Sequence, residues 1–305
     1  MSRTDRILSM IDRKAPGVEI GPSFRPIAPR SEGFRVDVID HLSQADLKAK
    51  YKDHGVPIDK IEHVDHVWNG SSYADLIGRR NSFEWVIASH VIEHTPDLIG
   101  FIKSCDELLT DTGVIALAIP DKRFCFDYFR ARTSLGAVID ANVHGYTNQT
   151  LGSVADFCLN ACDLDGKSSW HALNDGTLKF SHDLNATKGL MDAVKNGSYV
   201  DVHRWCFTPS SFRLLVNDLN LLGLIATKEC FFVDTIGEEF LIGLSQSGTG
   251  ASLSRMELTQ MSLAEEAAYS GDLARENAKL KEQLRQVYNS NSWRITGPLR
   301  ALRGG

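Results

Sequence analysis

Short apolar runs alternate with amphipathic stretches between Gly17 and about Pro120, and this rhythm constrains the fold of the 305-residue chain more than any other feature. Repeated strand and helix units favour a parallel sheet covered by helices. The apolar runs are rich in β-branched residues and end at polar or turn residues. The predicted strands are residues 17–20, 34–39, 60–64, 83–89 and 113–119. We therefore expect a doubly wound, Rossmann-like α/β fold with a mostly parallel sheet.

The later part of the chain departs from this rhythm. Residues 97–113 carry apolar side chains at helical spacing, which predicts a helix packed on the sheet. Residues from about 124 to 204 are rich in Gly, Asn, Asp and His, so we expect an insertion of short helices and loops that acts as a lid or a substrate platform. A helix should begin after Thr208. Residues 224–233 and 239–246 should then form an antiparallel edge of the sheet.

Composition limits the class of protein. Apolar residues make up 43% of the chain and charged residues 24%, an ordinary globular balance. The net charge of -6 gives no general attraction to nucleic acid. The chain has no apolar run of about 18 residues, and charges interrupt the apolar residues of its first segment, so we expect a cytoplasmic protein with reduced thiols.

A strand-to-loop corner with acidic residues downstream marks a candidate nucleotide site. Glu19 and Gly21 lie at the end of the first predicted strand, where doubly wound folds bring a ligand to the backbone. Asp40 ends the second strand, where an acidic side chain accepts hydrogen bonds from ribose hydroxyls. Asp65 is predicted to end the third strand in the same way. The alternative is that Asp40 and Asp65 only cap the helices that follow.

The segments VEIGP, VDVIDHL, VDHVW, ASHVIEHTPD and IPDKRF resemble the class I S-adenosylmethionine-dependent methyltransferase family, in a bacterial branch that accompanies polysaccharide-biosynthesis genes. The resemblance covers roughly residues 15 to 246 and implies S-adenosyl-L-methionine as cofactor. It implies that Glu19, Gly21 and Pro22 form the cofactor loop, with Asp40 at the ribose and Asp65 near the adenine. Ser89 and His90 are implied beside the methionine part; those positions complete the implied cofactor site.

The resemblance also implies an activity, O-methylation of a sugar or glycan intermediate in cell-surface polysaccharide biosynthesis. Pro22 and the residues after it stand where the family often has further glycines, and proline removes an amide donor. Two alternatives therefore stay open. One is a non-catalytic interaction protein with a methyltransferase-like fold, and the other is a methyltransferase that acts on a different small molecule.

Methyl transfer mainly requires alignment of the acceptor, and a hydroxyl acceptor is helped by a base. His94 is the candidate base, because an ordinary imidazole titrates near neutral pH. His90 lies four residues earlier, so on a helical turn both rings share one face with Glu93 beside them. We expect no metal here, because the HVIEHTP context fits a loop after a strand better. A structural role for either histidine is the alternative.

Four further side chains are candidates for the acceptor site. Asp121 and Arg123 follow the fifth predicted strand, with Asp121 as a catalytic candidate and Arg123 suited to bind a hydroxyl, phosphate or carboxylate. The alternative is an ion pair that caps the next helix. His203 and Arg204, before the helix at Thr208, are predicted to lie over the acceptor together with Glu93.

The C-terminal part is predicted to be separate. Residues 247–254 form a Gly- and Ser-rich linker between a domain of residues 1–246 and a helical tail of residues 255–305. Heptad spacing favours a short coiled coil and a homo-oligomer through residues 263–288, with a lone solvated helix as the alternative. The seam residues are Leu273, Asn277, Leu280, Leu284 and Val287.

The last residues contain SWRITGPLR, which resembles a short tail of bacterial glycosyltransferases and other polysaccharide-assembly proteins. Its basic and apolar side chains suit the inner face of a membrane or a groove on a polysaccharide-assembly protein. A frayed basic terminus is the alternative.

Overall fold

The computed structural model describes residues 1–171, 176–269 and 284–285. The chain divides into two units, Met1–Thr259 and Gln260–Gly305. The sequence predicts this boundary at residue 246. The Gly250 amide donates to the Glu229 carbonyl at 2.9 Å, and Leu258 is fully buried, so residues 247–259 belong to the first unit.

A seven-stranded sheet forms the centre of the first unit. In the described residues the strands are β1 Gly17–Ile20, β2 Val36–Asp40, β3 His66–Val67, β4 Phe83–Ser89, β5 Leu109–Pro120, β6 Cys162–Leu164, β7 Leu178–Phe180, β8 Lys228–Ile236 and β9 Glu239–Ser245. The large sheet has the order β3-β2-β1-β4-β5-β9-β8. β9 runs antiparallel to both its neighbours, and the other pairs are parallel. The predicted doubly wound fold is confirmed, with the antiparallel strand one place in from the edge.

The third strand differs from its prediction. Residues 60–64 form no strand, and β3 consists of His66–Val67 only, paired with the end of β2. Asp65 precedes this strand instead of ending it. Its carboxylate accepts the Val38 amide at 2.7 Å, so a side chain takes the place of a backbone partner there. The apolar residues that suggested a strand, such as Ile61, are buried in a loop.

Helices cover both faces of the sheet. The described helices are α1 Arg3–Leu8, α2 Gln44–Tyr51, α3 Tyr73–Ile77, α4 Leu98–Asp106, α5 Leu135–Val143, α6 Leu151–Asn160, α7 Leu184–Lys195, α8 Pro209–Leu221 and α9 Arg255–Tyr269. Side chains alternate along β5 as a pleated strand requires. Ile115 and Leu117 pack in one core with α4, α5 and α8. Ala116 and Ala118 pack in a second core, with α1 and α2.

Residues after β5 fold as a helical insertion with a small sheet of their own. α5, α6 and α7 lie in this segment, and β6 pairs antiparallel with β7. α8 then begins as expected, with Thr208 as its N-cap and Pro209 in its first turn. All six cysteines are free thiols. Within the described residues, no helix is long and apolar enough to span a membrane.

The coiled-coil prediction falls largely outside the described residues, which include only Leu284 of the five seam positions. The side chain of Leu284 is 52% exposed. The basic end around SWRITGPLR also lies outside the described residues, so its association remains a prediction.

Candidate active site

A cleft of about 1880 Å³ opens at the carboxyl ends of β1, β2 and β4. The chain leaves β1 to form β2 on one side, and β4 lies on the other side, so the strand order reverses at β1. In open α/β sheets this reversal creates a crevice for ligands. Predicted residues that line the cleft are Glu19, Gly21, Pro22, Asp40, Ser89, His90 and His94.

The corner after β1 needs a glycine. Gly21 has a φ of +63°, and a Cβ at this position would lie 3.0 Å from Cγ2 of Val91. Its amide donates to the Ile39 carbonyl at 2.8 Å, which joins the loop to β2. Only glycine adopts this backbone at low cost and leaves room beside the chain. The corner therefore offers bare backbone to the cleft.

Glu19 anchors the loop that follows. Its carboxyl group is buried and accepts the amides of Ile27 and Ala28 at 2.6 and 3.0 Å. Burial raises the pKa of Glu19 to about 7, against the opposing effect of the two amide hydrogen bonds. Glu19 thus fixes the wall of the cleft in addition to lining it.

Asp40 ends β2, and its side chain is almost fully buried. Oδ1 accepts the His41 amide at 2.7 Å and lies 2.6 Å from Nδ1 of the same residue. Oδ2 accepts the Ser23 amide at 3.3 Å, a long hydrogen bond. Because a carboxylate oxygen has two lone pairs, Oδ2 keeps capacity for a ligand hydroxyl.

Asp65 does not lie where the resemblance implies. It forms an ion pair with Arg30 and accepts the Val38 amide, and among the described residues it is not part of the cleft lining. Trp68, just after β3, lines the cleft instead, with Nε1 donating to the Ser71 carbonyl at 3.0 Å. The position of Trp68 directly after a strand is the sequence feature that could have identified it as a cleft residue.

Two residues distant in sequence hold the end of β4. Arg3 donates to both carboxylate oxygens of Glu239, at 2.6 and 2.7 Å, and to the Ser89 hydroxyl at 2.6 Å. Glu239 Oε2 also lies 2.9 Å from His90 Nε2. Burial lowers the pKa of His90, but Glu239 and Glu93 outweigh it, so the pKa is raised. No local sequence pattern connects Arg3 with Glu239.

His94 lines the cleft beside residues from the end of the insertion. Its Nδ1 lies 2.8 Å from Oδ1 of Asp201, and Tyr199 Oη is 3.3 Å from the same oxygen. Burial lowers the pKa of His94, but the Asp201 and Glu93 carboxylates outweigh it and raise the pKa. The same contact with His94, against burial, lowers the pKa of Asp201. Asp201 was missed because its position relative to β4 depends on how the insertion folds.

Glu93 and His203 lie behind His94. The Glu93 carboxylate is fully buried, and His203 Nε2 is 3.8 Å from its Oε1. His203 Nδ1 lies 2.5 Å from Asp127 Oδ2, and Asp127 also pairs with Arg130 at 2.8 Å. Burial would raise the pKa of Asp127, but the contacts with His203 and Arg130 outweigh it and hold the pKa well below its usual range. Glu93 and His203, both candidates for the acceptor site, therefore lie close together behind the cleft lining.

Asp121 and Arg123 are placed differently from their predicted roles. Arg123 donates to both carboxylate oxygens of Asp121, which also accepts the Thr235 hydroxyl at 2.6 Å and caps the turn that follows. Neither residue is among the described residues that line the cleft. The alternative of a capping ion pair is what the structure shows, because the turn after β5 brings the two side chains together.

Arg204 also lies behind the cleft surface. Its guanidinium stacks on the rings of Tyr146 and Trp205, each at 4.9 Å, and burial lowers its pKa. Tyr146 itself lines the cleft. Arg204 therefore supports the wall instead of presenting its charge to the centre of the cleft.

No family model matches the sequence, and the comparison with curated proteins gives no match. Among solved structures, an S-adenosylmethionine-dependent methyltransferase from Mesorhizobium loti matches 79% of this chain and 95% of its own, with 11% identity and a TM-score of 0.40. A SAM-dependent methyltransferase from Methanosarcina mazei matches 78% and 95%, with 15% identity and a TM-score of 0.40. A proposed sarcosine dimethylglycine methyltransferase from Galdieria sulphuraria matches over less, 39% of this chain and 46% of its own, with 17% identity and a TM-score of 0.28. At these identities and scores, the likenesses assign no residue role.

Proposed function

We propose that this chain is an S-adenosylmethionine-dependent methyltransferase. The observation that carries the proposal is the cleft at the reversal of strand order, where Gly21 and Asp40 stand together at the ends of β1 and β2. In doubly wound folds, a glycine at the end of the first strand lets the ligand approach the backbone closely. A carboxylate at the end of the next strand accepts hydrogen bonds from the ribose hydroxyls. The sequence resemblance supports the same cofactor.

The residues present fit this cofactor. Gly21 leaves room beside Val91, and Oδ2 of Asp40 has spare capacity as an acceptor. Ser89 and His90 lie in the same cleft at the end of β4, where Arg3 and Glu239 hold them. When bound, the cofactor supplies a methyl group on a sulfonium, which reacts by in-line displacement. The protein must then position the acceptor and exclude water.

The acceptor side of the cleft is polar. His94, Tyr146, Tyr199 and Asp201 line it. Such hydroxyl and carboxylate groups suit an acceptor that carries several hydroxyls, and we propose a sugar or glycan intermediate of polysaccharide biosynthesis. The imidazole of His94, with Nδ1 2.8 Å from Oδ1 of Asp201, is our candidate for the group nearest the attacking hydroxyl.

Calorimetry with S-adenosylhomocysteine tests the cofactor assignment directly. We expect one site per chain with micromolar affinity, and a labelled-methyl assay with nucleotide sugars and oligosaccharides should then yield a methyl ether. Absence of binding at millimolar ligand contradicts the proposal and favours the non-catalytic alternative. Binding with transfer to a different small molecule retains the enzyme and rejects the sugar.

We also propose that residues 263–288 mediate self-association and that the basic end contacts the inner face of a membrane or a polysaccharide-assembly protein. The spacing and charge of the sequence support this. Light scattering and sedimentation with anionic vesicles should show an oligomer or vesicle binding for the full chain, and neither for a chain that ends at Thr259. Equal behaviour of both chains contradicts the proposal.

A further inference from the structure

Among the described residues, the buried Glu93 carboxylate has no hydrogen-bond partner on either oxygen, although its side chain is 0% exposed. Removing a carboxylate from water is strongly unfavourable unless a cation or hydrogen-bond donors compensate it. His90 Nδ1 and His203 Nε2 lie 3.7 and 3.8 Å from its Oε1. Both distances exceed a hydrogen bond, so the space between these groups is suited to a small positively charged ligand.

Three donor atoms, including one of this carboxylate, lie close together. One nitrogen or oxygen from each of Glu93, His94 and His203 lies within 4.8 Å of the other two. A cation with bonds of about 2.1 Å to three ligands at tetrahedral angles holds them about 3.4 Å from one another, so each pair in this set must close by about 1.4 Å at most. Two imidazoles and one carboxylate are a donor set that first-row divalent metals accept.

The surroundings of His203 also favour a bound cation. Asp127 Oδ2 lies 2.5 Å from His203 Nδ1, which therefore carries the proton and leaves Nε2 as a lone-pair donor towards Glu93. A carboxylate behind a histidine in this way orients metal-binding imidazoles. Arg130 holds Asp127 in turn, at 2.8 Å. These contacts prepare His203 for a ligand on its other nitrogen.

The backbone keeps the two sides of the set together. The Glu93 carbonyl accepts the amides of Arg204 and Trp205 at 2.7 and 3.1 Å. These hydrogen bonds join the turn after β4 to the end of the insertion, more than a hundred residues later in the chain. Glu93 and His203 are therefore held at a set separation by the fold, which is what a preorganised ligand site requires.

We propose that Glu93, His94 and His203 bind one divalent transition-metal cation, such as Zn²⁺, Mn²⁺ or Co²⁺. This departs from the expectation drawn from the sequence, which shows His203 far from the other two residues. Nitrogen ligands disfavour Mg²⁺ and Ca²⁺, which prefer oxygen. His94 lines the cleft and its side chain is 29% exposed, so a cation held by these three residues would lie at the edge of the cleft.

The role of this cation in methyl transfer rests on the proposed function. A cation in this place would coordinate a hydroxyl oxygen of the acceptor and lower the pKa of that hydroxyl. His94 would then act as a ligand instead of as the base. Metal binding itself does not depend on methyl transfer, so the two proposals fail separately.

The test uses the full chain, without a histidine tag, after dialysis against a chelator. Titration with Co²⁺, followed by calorimetry and visible absorption, should show one equivalent bound, and Zn²⁺ should displace it. Glu93→Gln keeps the shape of the side chain and removes the charge, and we expect metal affinity about tenfold or more weaker. His54→Ala, an exposed histidine away from the cleft lining, is the matched control and should bind as the wild type does.

Circular dichroism and thermal melts accompany each variant, with His94→Asn as the second variant if Glu93→Gln does not fold. The proposal is overturned if the wild type binds no stoichiometric metal, or if Glu93→Gln and His94→Asn both retain wild-type affinity. Loss of metal binding with S-adenosylhomocysteine affinity unchanged supports a separate cation site. Intact metal binding without cofactor binding would reject the proposed function and leave this site standing.

Discussion

Arg3 and Glu239 form a bidentate ion pair, in which Nε and Nη2 of Arg3 donate to Oε1 and Oε2 of Glu239 at 2.6 and 2.7 Å. The pair joins the first helix to the start of β9, and each member also holds a residue at the end of β4. Arg3 donates to Ser89, and Glu239 contacts His90. The first helix thereby contributes to the wall of the cleft.

Arg3→Ala should therefore affect both stability and ligand binding. We expect a loss of about 1–2 kcal/mol in the free energy of unfolding, since Glu239 loses its cationic partner while Arg3 itself is partly exposed. S-adenosylhomocysteine should bind more weakly, because Ser89 and His90 lose their support. Urea unfolding and calorimetry measure the two effects. Arg13→Ala, which breaks a surface pair with Asp5 at 3.5 Å, should change neither by much.

Asp40→Asn should weaken S-adenosylhomocysteine binding by about tenfold or more, which is ~1.5 kcal/mol, because a charge-assisted hydrogen bond becomes a neutral one. Asp37→Asn is the matched control. It lies on the same strand, pairs with Arg79 and is not part of the described cleft lining. Calorimetry measures the S-adenosylhomocysteine affinity of both variants. Equal affinities for the two variants would exclude Asp40 from the cofactor site.

His94→Ala should slow methyl transfer by about a hundredfold or more, with cofactor affinity near that of the wild type. The expectation holds whether His94 acts as a base or as a metal ligand, because both roles serve the acceptor. Single-turnover rates and calorimetry give the two quantities. A parallel loss of rate and cofactor affinity would assign His94 to the cofactor instead.

Glu19 should make stability depend on pH. Its folded-state pKa of about 7 lies above the ordinary value of 4.5. Its stabilising contribution is therefore complete below about pH 4.5 and is lost as the pH rises through about 7, since the unfolded chain ionises first. The full effect is ~3 kcal/mol, taken as an order of magnitude.

Glu19→Gln removes this titration. Glutamine cannot ionise, so the variant loses this pH dependence while the wild type becomes less stable as the pH rises. The stability of the wild type relative to the variant should therefore fall between about pH 5 and about pH 8. Urea unfolding between about pH 5 and about pH 8 measures that difference. A difference that stays constant over this range would contradict the raised pKa.

Leu258→Ala should destabilise the first unit by about 2–4 kcal/mol, because the side chain is fully buried at the beginning of α9. Arg255 of the same helix pairs with Asp218 of α8 at 2.8 Å. Met256→Ala is the control, since Met256 is 66% exposed. Thermal unfolding compares the two. Equal midpoints would return the domain boundary to residue 246, as the sequence predicts.

Local periodicity was enough to predict the doubly wound sheet, the strands β1 and β4, the glycine corner at Gly21 and the acidic end of β2. Each of these depends on residues that are neighbours in sequence. The short β3 was not predictable in this way, because Ile61 is buried by packing in a loop and not by strand pairing. An apolar run alone does not distinguish the two.

Tertiary structure decided which polar side chains meet. The sequence predicts Asp65 and Asp121 as site residues. In the folded chain, Asp65 forms an ion pair with Arg30 and Asp121 forms one with Arg123. Conversely, Asp201 reaches His94, and His203 reaches Glu93, only because the insertion folds back over the end of β4. The partner of a charged group is set by distances in space, and sequence periodicity reports only which side of a strand or helix that group occupies.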